Sequence, residues 1–215
     1  MKTMLRIRAV AFGLFAASLF LGQAQAIDKS VEARLNQVMG DPKSRAAAVK
    51  AGQRAAFFCE NCHGATGNSP LEHVPNLAGQ NAVYLLNQID KFGDGRRQDE
   101  FMSGLVKVIK PEDRFNMAVF YASQNVVPGT SQDVRQLEKG RSHFARACLG
   151  CHGVEARGTR EIARLAGQKK GYTVHALKGY RAGQAMRADP SMTSVAKKLD
   201  DAQIQALALY LNTLR

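Results

Sequence analysis

The sequence has 215 residues, which limits the chain to one or two domains. Its formal net charge of +12 is unevenly distributed: residues 27–128 hold 12 Lys and Arg against 11 Asp and Glu, whereas residues 129–215 hold 15 against 7. A basic field of this kind steers a protein towards an acidic partner, an anionic membrane or nucleic acid. The export signal at the start of the chain argues against nucleic acid.

Residues 1–26 have the pattern of a secretory signal peptide. Three basic residues precede an apolar run from Ala9 to Leu21, and the small-residue sequence AQA follows at 24–26. An uncleaved membrane anchor is the alternative, but the run is shorter than the roughly 20 residues that span a bilayer. We expect cleavage before Ile27 and an oxidising compartment, taken to be the bacterial periplasm, with peripheral membrane association left open.

Residues 27–50 form an N-terminal extension with one helical face. Val31, Leu35, Val38 and Met39 recur at helical spacing, and the sequence GDP at 40–42 predicts the end of that helix. This helix could cover a partner or cap the domain that follows, and the packing cap is the simpler prediction.

Two copies of one five-residue motif contain all four cysteines of the chain. The first is CENCH at 59–63 and the second is CLGCH at 148–152. Two thiols three positions apart on one helical turn can add to the two vinyl groups of one haem, while the adjacent imidazole reaches the iron. The motifs therefore predict two covalently bound haem c groups, held by Cys59, Cys62, His63, Cys148, Cys151 and His152.

Three other uses of such cysteine pairs fit less well. A thioredoxin-like dithiol requires a βαβ context, which the sequence does not show. A four-cysteine zinc site would leave the two adjacent histidines unexplained. A disulfide between cysteines three positions apart closes a very short loop and stabilises little.

The residues after each motif also repeat. LAGQ occurs at 77–80 and at 165–168, and a tyrosine lies five residues after the glycine of each copy, at Tyr84 and Tyr172. The markers occur in the same order at nearly the same spacing. The chain therefore consists of two tandem domains of one fold.

Pro128 and Gly129, within the polar sequence NVVPGTSQD, mark the connection between these domains. We expect a first domain at 51–126, a linker at 127–133 and a second domain at 134–215. Helical signals dominate both halves, and no stretch alternates with a period of two, so the predicted fold class is all-α.

Three local patterns predict individual helices. A helix led by Tyr84 follows the first LAGQ, Pro111 suits the first turn of another, and Asp200 with Gln203 resembles a capping box. Ile204, Leu207, Ala208 and Leu211 supply the apolar stripe of the helix after Asp200.

A haem iron has a second axial position, and a methionine there favours electron transfer. Met102 and Met192 are the candidates because they occupy equivalent positions of the repeat. Met186, six residues before Met192, competes with it. Met117 and Met39 are interpreted as packing residues.

The remaining histidines are His73, His143 and His175. None has a partner in the repeat, so each is predicted to be structural or exposed. Ligation of one iron by two histidines stays open as the alternative.

Taken together, these motifs resemble the cytochrome c4 family of dihaem class I c-type cytochromes, from about Gly52 onward. The resemblance implies two cytochrome c domains related by a pseudo-twofold axis, with both haems near the interface. It implies His63 with Met102 and His152 with Met192 as axial pairs. It also implies a Pro75 carbonyl that orients the proximal histidine, and arginines near the haem propionates, matched in position by Arg96 or Arg97 and by Arg187.

The second copy departs from the family pattern at two places. Ala163 stands where Pro75 would align, so the histidine-orienting role is not carried over to it. The segment from tyrosine to methionine is also two residues longer in the second copy, between Tyr172 and Met192, than between Tyr84 and Met102. The extension at 27–50 lies outside the pattern of the family.

The resulting prediction is a periplasmic electron-transfer protein of a respiratory chain, not an enzyme, without catalytic residues or a small-molecule substrate. It would dock to membrane or periplasmic redox proteins, with the basic second domain facing an acidic surface. The alternative is a dihaem redox enzyme or enzyme subunit, peroxidase-like or acting on sulfur compounds, with one catalytic haem. A ligand-binding sensor is a third reading, and it would need an output domain.

Overall fold

The computed structural model describes residues 28–183 and 189–215. The regular elements of those residues are α-helices and two short 3-10 turns, at Phe57–Cys59 and Val106–Val108, which confirms the all-α class. The helices are α1 (Lys29–Gly40), α2 (Pro42–Ala55), α3 (Glu60–His63), α4 (Ala82–Gly93), α5 (Glu100–Leu105), α6 (Pro111–Ala122), α7 (Val134–Ala147), α8 (Leu149–His152), α9 (Lys170–Ala182), α10 (Pro190–Ala196) and α11 (Asp201–Thr213).

The helices repeat in the same order, α2 to α6 and then α7 to α11. Helices α2 and α7, which lead into the two cysteine motifs, each have 14 residues. The expected boundary between residues 50 and 51 falls inside α2. That helix was not predicted because the residues it buries, Ala48 and Gly52, are too small to produce an apolar stripe.

In each domain the first helix crosses the last at a glycine. A Cβ atom on Gly52 of α2 would lie 2.0 Å from the carbonyl oxygen of Asn116 in α6, and one on Gly140 of α7 would lie 2.2 Å from that of Ala206 in α11. Only a residue without a side chain allows this approach. The two crossings fix the frame that presents each cysteine motif.

Each domain has its own hydrophobic core. The first is formed by α1, α2, α4 and α6, with Val119 and Phe120 among its most buried members. The second is centred on Phe144, Ile204 and Leu207. Cys59 packs against the first core and Cys148 against the second, so each motif belongs to a separate domain.

Two predicted helix signals, one in each domain, agree with the structure. Pro111 begins α6. The side chain of Asp200 accepts a hydrogen bond from the Gln203 amide at 2.7 Å, and the Gln203 side chain accepts one from Asp200 at 3.0 Å, which completes the capping box of α11.

Helix α1 packs on the first domain, which confirms the prediction of a packing cap. Leu35 is buried in the core of that domain. Arg34 forms a two-pronged ion pair with Glu112 of α6, at 2.6 and 2.8 Å, and its guanidinium lies 4.0 Å above the ring of Phe115. Glu32 of the same helix pairs with Arg160 in the second domain.

The interface between the domains is built from the two LAGQ segments in a reciprocal arrangement. The side chain of Gln80 accepts from the backbone N–H of Arg164 at 2.7 Å and donates to the carbonyl of the same residue at 2.9 Å. The side chain of Gln168 makes the same two bonds with Asn76, at 2.7 and 3.0 Å. Each glutamine thus binds the residue that precedes LAGQ in the other domain, which is a pseudo-twofold relation.

The chain that leads into the linker passes between the two LAGQ segments. Val126 is close to the glycine of both: Cβ atoms built on Gly79 and Gly167 would lie 2.7 and 2.1 Å from its methyl groups. Asn68 also binds the backbone on either side of Val126, at Asn125 and Val127. The connection between the domains is therefore part of their interface.

Within residues 28–183 and 189–215, no helix is long and apolar enough to cross a membrane. The expected signal peptide at 1–26 lies outside the described residues.

Candidate functional site

Both cysteine motifs form one tight helical turn directly after the first helix of their domain. In the first domain the 3-10 turn Phe57–Cys59 continues into α3, and in the second α7 continues into α8. The thiols at both sites, all within the described chain, form no disulfide. Each turn ends at a histidine, His63 or His152, whose side chain is turned inward.

The two histidines are held in the same way. Each is only 7% exposed. The Nδ1 atom of His63 lies 3.0 Å from the carbonyl oxygen of Pro75, as the sequence predicted. The Nδ1 atom of His152 lies 2.9 Å from the carbonyl oxygen of Ala163. Ala163 therefore has the orienting role that the sequence did not predict for it, because a backbone carbonyl does not require the proline ring.

These hydrogen bonds determine which ring nitrogen can bind a metal. A carbonyl oxygen only accepts, so Nδ1 carries the proton and Nε2 keeps its lone pair. Burial lowers the pKa of His63 and of His152, which favours the neutral ring. Two neutral, oriented imidazoles beside free thiol pairs fit a covalently attached haem at each motif.

The thiols do not have the character of a redox dithiol. Burial raises the pKa of Cys59, and it raises that of Cys148 to about 11. A reactive dithiol requires a lowered thiol pKa. The two pairs also pack on different cores, so they do not combine into one four-cysteine zinc site.

Met102 and Met192 occupy matching positions in their domains. Each is the third residue of a short helix, α5 or α10, and each is partly buried. The backbone N–H of Met102 donates to the side chain of Asp99 at 2.8 Å, and that of Met192 donates to Asp189 at 3.0 Å. The competing Met186 lies outside the described residues.

The two candidate propionate arginines face different surroundings. Arg96 is bound by Asp94, with 2.8 Å between Nε and Oδ2. Arg97 donates to Gln88 at 2.8 Å and to the hydroxyl of Tyr172, in the second domain, at 3.1 Å. Its charge also opposes protonation of His63 and lowers the pKa of that ring further. Arg97 is therefore the better candidate of the two, and Arg187 lies outside the described residues.

The other histidines lie where the sequence placed them. His73 is exposed in a loop, and His175 is exposed on α9. His143 lies on α7, and its ring contacts Arg146 at 2.9 Å.

Sequence reasoning missed two groups of residues that organise the sites. The pattern Asp-x-x-Met at 99–102 and 189–192 contains the helix caps, and it would have separated Met192 from Met186. Gln80 and Gln168 were used only as markers of the repeat, although they join the two domains.

Comparison with known proteins agrees with this geometry. A family model described as cytochrome c matches residues 137–215. The cytochrome c4 of Pseudomonas aeruginosa is 34% identical over 176 residues, which are 76% of this chain and 87% of that protein. The thiosulfate dehydrogenase electron acceptor of Thiomonas intermedia is 32% identical over 170 residues, which are 73% of this chain and 78% of that protein.

A solved structure shares the fold. The crystal structure of reduced cytochrome c4 from Pseudomonas stutzeri superposes with a TM-score of 0.72 at 30% identity, covering 78% of this chain and 98% of that one. The similarity therefore extends over both domains.

Proposed function

The chain belongs to the cytochrome c4 family, and on that premise we propose that it carries electrons between proteins of the bacterial periplasm. It is a dihaem c-type cytochrome that acts in electron transfer. In our proposal His63 and Met102 would bind the iron of the first haem, and His152 and Met192 that of the second. The cysteines of each motif would tether the haem through two thioether bonds.

The observation that carries this proposal is the equivalence of the two sites. Both have a buried histidine oriented by a backbone carbonyl, and both have a methionine fixed by an aspartate cap. Methionine–histidine ligation raises the reduction potential of a haem and closes the iron to substrates. Two such sites in one chain support a carrier of two electrons, one at each site.

The residues of the chain prepare each site for repeated electron exchange. When bound, haem c supplies an iron that takes up and releases one electron. The carbonyls of Pro75 and Ala163 hold the imidazole proton at Nδ1 in both redox states. The burial of His63 and His152 keeps water away from the ring. Fixed ligands and little reorganisation favour fast transfer.

The domain organisation we propose places a first cytochrome domain before the linker at 127–133 and a second one after it. Electron transfer without catalysis fits both sites. The hydrogen bonds that hold the histidine and the methionine are the same in the two domains, so neither site is set apart for a substrate. The relative from Thiomonas intermedia is named as the acceptor of a dehydrogenase. A sulfur-compound dehydrogenase is accordingly a suitable class of electron donor for this chain.

A reductive titration tests the proposed carrier role. We expect the purified holoprotein to take up two electrons per chain in two one-electron steps, and to show no turnover with thiosulfate or hydrogen peroxide. Sustained turnover with either compound would show that one site is catalytic.

The docking surface of the second domain lies on α7. Arg135, Lys139 and Arg146 are exposed and lie at i, i+4 and i+11, on one face of the helix. Gly140 and Phe144, on the opposite face, pack into the domain. We call the three cations the α7 stripe. It ends two residues before Cys148, so a partner bound to it would lie beside the second site.

The first domain carries its exposed cations at other positions of the matching helix, α2. Counted from the crossing glycines Gly52 and Gly140, the positions that match Arg135 and Lys139 are Ala47 and Ala51. The two domains therefore arrange their exposed cations differently, and the α7 stripe suits an acidic redox protein. A lipid surface fits less well, because an interfacial helix inserts an apolar face and the apolar face of α7 is already buried.

Charge reversal tests this docking surface. The double variant Arg135→Glu and Lys139→Glu should slow electron exchange with flavodoxin, an acidic redox protein, at least tenfold at low ionic strength. The difference should shrink at physiological salt, because ions screen exposed charges. Stopped-flow mixing measures both rates.

The matched control reverses two exposed charges of α2, Arg45→Glu and Lys50→Glu, and should change the rate less than threefold. An equal loss in both variants would show that only net charge matters. Sedimentation with phosphatidylserine vesicles, lost only in the α7 variant, would identify a membrane surface instead.

A further inference from the structure

The hydroxyl of Tyr121 is a buried polar group that the proposed function leaves unused. Tyr121 lies near the end of α6 and is only 2% exposed. Its Oη atom has no hydrogen-bond partner of ordinary geometry among residues 28–183 and 189–215. Burial raises the pKa of Tyr121, so the hydroxyl keeps its proton and remains a donor. A buried donor without an acceptor is costly and calls for an explanation.

The surroundings of Tyr121 direct this hydroxyl towards the first site. Its ring lies 4.9 Å from that of Phe120 and packs beside Gly67, where an added Cβ would lie 2.7 Å from ring atom Cδ1. Cys59 packs against the same core, and the Tyr121 hydroxyl is near enough to influence the pKa of that thiol. The sulfur of Cys59 is therefore the acceptor at hand.

The second domain lacks this hydroxyl. The N–H of Gly79 donates to the carbonyl of Tyr121 at 2.9 Å, and the N–H of Gly167 donates to that of Leu211 at 2.8 Å, so Tyr121 and Leu211 are equivalent. Leu211 is also buried. The position opposite the side chain changes in parallel, because Ala156 takes the place of Gly67. The difference between the domains is thus accommodated by packing on both sides.

We propose that the Tyr121 hydroxyl donates a hydrogen bond to the Cys59 sulfur once that sulfur is a thioether, and that this bond raises the reduction potential of the first site. The proposal rests on the proposed function, since it requires haem attachment at Cys59. A thiol can act as a donor itself, whereas a thioether sulfur only accepts. Attachment therefore removes the competing S–H donor and leaves the sulfur as an acceptor for the hydroxyl.

The sign of the effect follows from the orientation of the O–H dipole. Its positive end points towards the site, which gains one electron on reduction, and hydrogen bonds of this kind tune haem potentials. The reduced state is favoured, so the potential of the first site rises. No proton moves, because the hydroxyl stays protonated. Leu211 gives the second site no such contribution, which makes two otherwise similar sites electronically different.

The variant Tyr121→Phe removes only the hydroxyl and tests the proposal. In a spectroelectrochemical titration of the holoprotein, the ratio of reduced to oxidised first site at a fixed potential should fall at least threefold. That change corresponds to about 28 mV at 59 mV per tenfold change for one electron. The second site should shift by less than a third as much. A separate Met102→His variant, whose lost sulfur ligand lowers the potential, identifies the step that belongs to the first domain.

Tyr210→Phe is the matched control, because Tyr210 packs on Phe144 in the second core, away from the first site; both potentials should stay unchanged. An unshifted first potential in Tyr121→Phe, with equal or higher thermal stability, would overturn the proposal and leave a core hydroxyl without a function. If the Phe variant does not mature, NMR of the reduced native protein decides. A slowly exchanging tyrosine hydroxyl proton close to the first haem supports the bond, and its absence overturns it. A protein without two haems would instead defeat the proposed function.

Discussion

Met192 is the residue at which sequence alone left a real choice. Spacing favoured it over Met186, yet the longer loop of the second domain weakened the comparison. The structure adds a local reason: an aspartate three residues earlier caps the helix of both methionines, with N–H to Oδ1 distances of 2.8 and 3.0 Å. The cap fixes the backbone, and hence the region that the thioether can reach.

Replacing each methionine in turn tests this assignment. Met192→Ala should remove the sulfur ligand from the second iron, reduce the sulfur-to-iron absorption band of the oxidised protein to about half, and lower the potential of that site. Met186→Ala is the matched control and should leave the band intact. Visible spectra of the two oxidised variants decide, and the reverse pattern would assign Met186.

The sequence supports the proposed attachment residues directly, because covalent chemistry fixes their spacing. Two thiols and an imidazole must meet one macrocycle, and only a short motif on one turn achieves this. The support of His152 was not predictable in the same way. Its partner is the backbone carbonyl of Ala163. Every residue type has a backbone carbonyl, so the residue type at this position does not reveal the hydrogen bond.

At the level of elements, helices with large apolar residues or strong caps were visible in the sequence. Helix α11 has both a capping box and a leucine-rich face. Helix α2 is capped by Asp41 and has Pro42 in its first turn, but the residues it buries are small, and the sequence GDP at 40–42 was interpreted as the end of a helix. Its stability depends on close packing against α6, which only the folded structure reveals.

The crossing of α7 and α11 provides the test at this scale. Gly140→Ala should lower the free energy of unfolding of the second domain by about 2 kcal/mol, because its Cβ would lie 2.2 Å from the Ala206 carbonyl oxygen. Gly179→Ala, in the interior of α9 with no atom within 4 Å of the added Cβ, should instead raise stability by up to about 1 kcal/mol. Thermal unfolding of both variant holoproteins separates the steric effect at the helix crossing from the effect of alanine on helix propensity. A stabilised Gly140 variant would refute the tight crossing.

For the whole molecule, the repeat predicted two domains but not how they join. Both polar atoms of each LAGQ glutamine side chain form hydrogen bonds with the backbone of one residue in the other domain, Arg164 or Asn76. A repeated sequence identifies equivalent positions, whereas the partner of each position depends on the symmetry that relates the copies. The structure supplies that symmetry, and with it a fixed relation between the two sites.

Loss of the reciprocal glutamine bonds should separate the domains energetically. The double variant Gln80→Ala and Gln168→Ala removes the four hydrogen bonds that these side chains make between the domains, worth about 1 kcal/mol each. We expect the single thermal transition of the holoprotein to divide into two, as measured by calorimetry. Gln205→Ala, exposed on α11, should leave one transition. A single unshifted transition in the double variant would show that other contacts, and not these glutamines, couple the domains.

The central claim is that each half of the chain carries one covalently attached haem with histidine and methionine on its iron. A mass spectrum and a visible spectrum of protein matured in a bacterial periplasm test this together. The account predicts a mass of the chain from Ile27 onward plus two haems, and a low-spin spectrum with a sulfur ligand at both irons. A colourless protein with the mass of polypeptide alone would contradict it.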